Sequence, residues 1–173
     1  MTARAEYRLI LRQDNADRRL TPLGYAIGLV SPARFTAYEA KQARISAEIE
    51  RCRTTRLAPG PAVNEVLEQL GSTPLKPGAG TSIAELLRRP EIHYEDLAAL
   101  DPGRPGLSWA EQFAVEVDLK YEGYIKLEQD RIERFLRLEH KQIPADLDYH
   151  AISGLRLEAR QKLSALRPSS LGQ

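Results

Sequence analysis

A chain of 173 residues, 42% hydrophobic and 28% charged, is long and apolar enough for one packed domain or two small ones, which excludes a disordered polyelectrolyte. Its formal net charge of +1 removes any global electrostatic case for nucleic acid, and its single cysteine, Cys52, excludes an internal disulfide framework and suits a reducing cytoplasm. No apolar run approaches the roughly 20 residues of a membrane span, and the N-terminus is charged from Arg4 onward with no apolar signal region.

Tyr7-Arg8-Leu9-Ile10-Leu11-Arg12 reads equally as a short strand or the start of a helix. Asp14 to Asp17 is expected to form a turn or cap with ion pairs to Arg18 and Arg19, since short Asx side chains bond nearby backbone amides. Thr21-Pro22 reads as N-cap and first residue of a short helix ending near Gly28. Ser31-Pro32 repeats that signal and opens a long helix to about Arg56, with Phe35, Tyr38, Ile45, Ile49 and Cys52 on one apolar stripe. Cys52 is accordingly a small core residue. A loop over 57–61 leads to a helix from Ala62 to Leu70.

The run Gly78-Ala79-Gly80-Thr81-Ser82-Ile83 imitates a dinucleotide fingerprint. It fails because Pro74 and Pro77 occupy the place of the preceding strand and Ile83 that of a third small residue. Ser82-x-x-Glu85 is instead a capping box opening a helix through Arg89, which Pro90 ends. His93 to Leu100 reads as another short helix. Ser108-x-x-Glu111 is a second capping box, opening the longest periodic stretch, from Trp109 to about Lys141, with Val117, Tyr121, Ile125, Ile132 and Phe135 as its buried stripe. Leu155, Ala159, Leu163 and Leu166 define a last helix, stopped before Pro168. No segment shows the alternation of a β-sheet. The expected fold is all-α: a helical bundle of two long and several short helices, with at most one short N-terminal strand.

Charge is unevenly spread: net +5 over residues 1–56, −6 over 57–119 and +2 over 120–173. Catalytic signals are poor. His93, His140 and His150 have no metal-ligand spacing with one another or with Cys52, and no nucleophile elbow or phosphate loop occurs. Recognition signals are better. Lys120-Tyr121-Glu122-Gly123-Tyr124-Ile125-Lys126 carries lysines suited to phosphates and tyrosines suited either to stacking on bases or to the core. Arg88 and Arg89 are further basic candidates. Arg131, Arg134 and Arg137 recur at i+3 steps among Asp130, Glu133 and Glu139, a pattern that reads as an ion-paired face.

Four blocks carry a family likeness: Thr2 to Leu9 continuing through Leu20-Thr21 and Gly28-Leu29-Val30; Glu85 to Pro90; Lys120 to Ile125; and Ile143-Pro144, Asp148-Tyr149, Ile152 to Leu155, Arg167-Pro168 and Leu171-Gly172-Gln173. In this order and spacing the chain resembles the C-terminal region of the MnmG/GidA family of tRNA wobble-uridine modification flavoenzymes. It departs from the family pattern at Ala3 and Arg156, where serine is usual, and at Leu127 and Glu128, where arginine and glutamine are.

The resemblance implies a parent enzyme that binds FAD, uses NADH, forms a homodimer and works with a GTPase (MnmE) to install a carboxymethylaminomethyl group on tRNA. It implies that residues 1–30 are a linker motif following an absent FAD domain, 31–119 a helical subdomain and 120–173 a truncated C-terminal helical subdomain. It further implies a chain cut at both ends, without cofactor or metal of its own, in the cytoplasm. On this reading Arg4, Arg8, Arg12, Arg88, Arg89, Lys120, Tyr121, Tyr124 and Lys126 bind tRNA or the GTPase. Arg4, Arg8 and Arg12 are then expected to lack partners within the chain. The alternative is an all-α protein–protein scaffold with no RNA contact.

Overall fold

The structure is a computed structural model that describes residues 7–78 and 80–173. It is mostly helical, in the order α1 Ala16–Ala26, α2 Pro32–Thr54, β1 Arg56–Leu57, α3 Pro61–Gln69, β2 Thr81–Ser82, α4 Ile83–Leu87, a 3-10 turn Glu95–Leu97, α5 Trp109–Glu139 and α6 Leu157–Leu166. The chain divides into two compact units, Met1–Ile125 and Lys126–Gln173.

In the first unit the local start signals act as written for α2 and α4. The Ser31 hydroxyl accepts from Arg34 N–H with Pro32 in the first helical turn. Ser82 and Glu85 form a reciprocal capping box. Ser82 also belongs to the two-residue antiparallel ladder, in which Arg56 faces Ser82 and Leu57 faces Thr81. A Cβ at Gly80 would sit 2.5 Å from the Leu57 carbonyl oxygen, so this glycine permits the strand approach. The glycine run is thus spent on a turn and a cap; Ala79 lies outside the described residues.

The core joins Ile45 and Cys52 of α2, Leu67 of α3, the buried α4 residues Ile83, Ala84, Leu86 and Leu87, then Ile92, Tyr94, Leu97 and Leu107, and Val115 and Leu119 of α5. Each fully buried leucine or isoleucine contributes about 1.5–3 kcal/mol.

Four expectations are corrected. Tyr7–Ile10 forms turns, with Ile10 and Leu11 N–H both donating to the Tyr7 carbonyl, and no strand forms there. Helix α1 starts after Asn15 rather than Thr21, which places Pro22 inside it. Proline has no N–H for the Arg18 carbonyl four residues back; the Tyr38 hydroxyl from α2 donates to that oxygen at 3.4 Å. On α5 the buried face is Glu111, Val115 and Leu119, two positions out of phase with the expected stripe, so Tyr121 is exposed. The start of the helix sets this phase. The Glu111 carboxylate accepts from Ser108 N–H at 2.9 Å and is paired with Arg44 of α2, turning positions 111, 115 and 119 inward. The helix expected over His93–Leu100 reduces to the 3-10 turn.

In the second unit an isolated antiparallel bridge joins Gln142 and Ser170, and the Gly172 N–H donates to the Glu139 carbonyl. Helix α6 ends at Arg167, in the left-handed region at φ 43°. Tyr149 is this unit's buried aromatic residue, while Leu166, expected on an apolar stripe, is exposed.

Candidate functional site

Arg4 lies outside the described residues. Arg8 is exposed. Arg12 is occupied, contrary to expectation. Its Nε and Nη2 grip Asp14, its Nη1 donates to the Leu9 carbonyl at 2.9 Å, and Asp118 of α5 lies 3.8 Å from Nη2. Its charge is answered within the chain, and its role there is to close the turn before α1.

The first unit also holds Arg88, Arg89, Lys120, Tyr121 and Tyr124. Arg88 and Arg53 share the Glu122 carboxylate, and the Arg88 hydrogen bond, against some desolvation, holds that carboxyl below its usual range. Arg89 donates to Ser72 Oγ at 2.8 Å and to the Thr73 carbonyl, clamping the loop after α3. Lys120 pairs with Glu116 at 3.0 Å and donates to the Pro90 carbonyl. These cations are therefore internally satisfied. Tyr121 and Tyr124 are 42% and 63% exposed, with ring centroids 6.4 Å apart, so the stacking alternative left open for them is sterically available and the core alternative is not.

In the second unit Lys126, Arg131, Arg134 and Arg137 are all exposed. Among the described residues no carboxylate pairs with any of them, although Asp130 stands four residues before Arg134 and Glu133 four before Arg137. The expected ion-paired face is not formed. At about 100° per residue the four cations fall within roughly 140° of the helix circumference and span about 16 Å along it. Of the acids in the stretch, Asp130 alone shares that sector.

A buried polar network went unseen in the sequence. Glu48 of α2, 1% exposed, accepts from Tyr94 Oη at 2.7 Å, from Arg51 Nε at 2.7 Å and from Cys52 Sγ at 3.4 Å. Arg51 in turn reaches Asp101. Burial works to raise the Glu48 carboxyl, but the three hydrogen bonds outweigh it and hold the group below its ordinary value. Burial and the Glu48 charge push the Cys52 thiol up to about 12. The network ties α2 to the segment after α4 and to Asp101. Among the described residues no group of three or more side chains could hold a metal ion, and no helix is long and apolar enough to cross a membrane.

One cleft, also unforeseen, opens in the first unit, about 540 Å³ in volume, between the turn before α1, the middle of α2 and the start of α5. Trp109 and Phe113 form its aromatic wall and Ile45 its floor.

Two family models match the chain from residue 32 to its last residue, save residue 130. The MnmG/GidA tRNA modifying enzyme C-terminal helical domain matches residues 32–129, and the corresponding C-terminal helical bundle matches 131–173. The curated relatives include the tRNA uridine 5-carboxymethylaminomethyl modification enzyme MnmG of Caldicellulosiruptor saccharolyticus, 52% identical over 173 residues, and that of Geobacillus thermodenitrificans, 48% identical. Each match covers 100% of this chain and 27% of the relative, so the chain spans about a quarter of their length. The Aquifex aeolicus GidA crystal structure (form II) aligns over 98% of this chain and 25% of its own, with a TM-score of 0.63 and 30% identity.

Proposed function

The chain belongs to the MnmG/GidA family of tRNA-modifying enzymes, as its C-terminal helical region, and from that premise we propose that it is a recognition module that binds tRNA and a partner GTPase and performs no catalysis itself. The observation that carries the tRNA role is a sector of α5 on which four exposed cations stand without a carboxylate partner among the described residues. In the first unit Arg12, Arg18, Lys41, Arg44, Arg51, Arg53, Arg88, Arg104 and Lys120 are paired with carboxylates, whereas Arg34 and Lys76 are exposed and isolated from one another. Lys126, Arg131, Arg134 and Arg137 of the second unit are exposed and unpaired among the described residues, which leaves their full charge for phosphates. Tyr121 and Tyr124 of the first unit offer faces to a base or to the GTPase.

Residues 1–30 then serve as a connecting motif to a flavin domain, with 31–119 and 120–173 as helical subdomains. The parent reaction would add the carboxymethylaminomethyl group to uridine with FAD and NADH, in a cytoplasmic homodimer. The glycine run does not fit the phosphates of a dinucleotide cofactor. The glycine run forms a turn against Leu57 and a cap on a five-residue helix, and the sheet is a two-residue antiparallel ladder. FAD and NADH are therefore assigned to other parts of the parent.

A scaffold without RNA contact is the competing reading, favoured by exposed Leu20 and Leu23 on α1 and Ile27 at its C-cap. Fluorescence anisotropy of labelled, transcribed tRNA at 50 and 200 mM salt separates the two. Four phosphate contacts weaken binding roughly 100-fold across that range. No salt-sensitive binding at micromolar protein would leave the scaffold reading.

A further inference from the structure

The cleft of the first unit is not absorbed by the cation argument, and its lining is unusual. Trp109 and Phe113, one helical turn apart on α5, stack with centroids 5.4 Å apart at 11°, yet remain 74% and 44% exposed. Two flat rings held parallel at the mouth of a cavity leave an open π-face, and burying such a face ordinarily stabilises a fold. Helix α5 begins at this point, so the rings are carried on its first turns rather than on a loop.

The polar lining is close to electrically neutral. Asp14 is held by Arg12, Asp17 by Lys41 and Asp118 by Arg18, each at 2.6–2.9 Å. A charged small molecule therefore finds no net attraction inside, whereas a neutral, flat, hydrogen-bonding group does. Two amides are placed for it. Gln42 accepts from Arg18 Nε at 3.3 Å through its oxygen, which orients its NH2 group as a donor, and Gln13 is an exposed lining residue. The volume of about 540 Å³ lies within the range of small-ligand sites.

We infer that this cleft receives one unstacked nucleobase of an RNA strand, stacked on Trp109 and Phe113 and read at its edge by Gln13 and Gln42. Aromatic stacking with side-chain contacts to the base edge is how unpaired bases are recognised, and neutral amides suit the alternating donors and acceptors of that edge. The inference rests on the reading of the chain as a tRNA-binding module and adds a base-recognition site to it.

Trp109 is the only tryptophan in the chain, so its emission reports on this cleft alone. Transcribed, end-labelled tRNA is titrated while label anisotropy and Trp109 emission are recorded together. The expected result is strong quenching of Trp109 that follows the anisotropy isotherm, with Phe113→Ala weakening tRNA binding about 5- to 100-fold. Phe113 is exposed, so this truncation leaves the fold intact, which circular dichroism verifies. Binding by anisotropy with unchanged Trp109 emission and unchanged affinity of Phe113→Ala would overturn the cleft assignment and leave the module reading standing. Absence of tRNA binding altogether would overturn both. Quenching by UMP or by the GTPase but not by tRNA would overturn the RNA assignment.

Discussion

The Tyr94 hydroxyl donates to the Glu48 carboxylate at 2.7 Å across 46 positions of sequence, tying the segment after α4 to the centre of α2. That bond is one side of a closed polar cluster in which Arg51 neutralises both Glu48 and Asp101. The helical module is thus held by an ion-pair network as well as by its leucine core.

Arg51→Met would leave two carboxylates, 1% and 7% exposed as Glu48 and Asp101, without their cation. Removing one partner of a buried pair costs about 3–5 kcal/mol. Urea unfolding should show that loss; a change under 1 kcal/mol would mean that water replaces the guanidinium.

Stability should also fall in acid. The folded Glu48 carboxyl lies below its unfolded value, so its contribution is complete above the unfolded value of about 4.3 and is lost as pH falls through the folded one. Urea midpoints measured from pH 7 to pH 3 should decline more steeply in the parent chain than in Glu48→Gln. Parallel profiles would place the acid sensitivity elsewhere.

Cys52 should resist thiol reagents at pH 8 in the folded chain and react after unfolding. It is fully buried with its thiol pushed up to about 12, so almost no thiolate is present. Fast labelling under native conditions would show that α2 opens locally.

Tyr121→Ala and Tyr124→Ala should each shift stability by no more than about 0.5 kcal/mol, since both rings are exposed. Surface plasmon resonance against tRNA and against the GTPase should then show weaker binding to at least one of them. A loss of several kcal/mol in stability instead would return these residues to a packing role.

What the sequence disclosed was what is local. Ser31-Pro32 and Ser82-x-x-Glu85 are complete within four residues, and both open helices where expected. Thr21-Pro22 read as the start of α1, whereas the helix starts after Asn15, and the carbonyl that Pro22 leaves without a donor accepts from Tyr38, a residue of another helix. The face of α5 turned on the Arg44–Glu111 pair, whose partners are 67 positions apart. The Glu48 cluster and the aromatic cleft are likewise assembled from distant segments. Arg134 and Arg137 show the reverse case: their local spacing suggested ion pairs, and among the described residues the exposed helix does not form them.

The most direct test of the module as a tRNA reader is the salt dependence of binding in Arg134→Gln/Arg137→Gln. Each phosphate contact contributes about 0.7–0.9 to the slope of log K against log salt. The double variant should bind tRNA more weakly, with a slope smaller in magnitude by roughly 1.4–1.8. An unchanged slope would show that these unpaired arginines do not face RNA and would contradict the account.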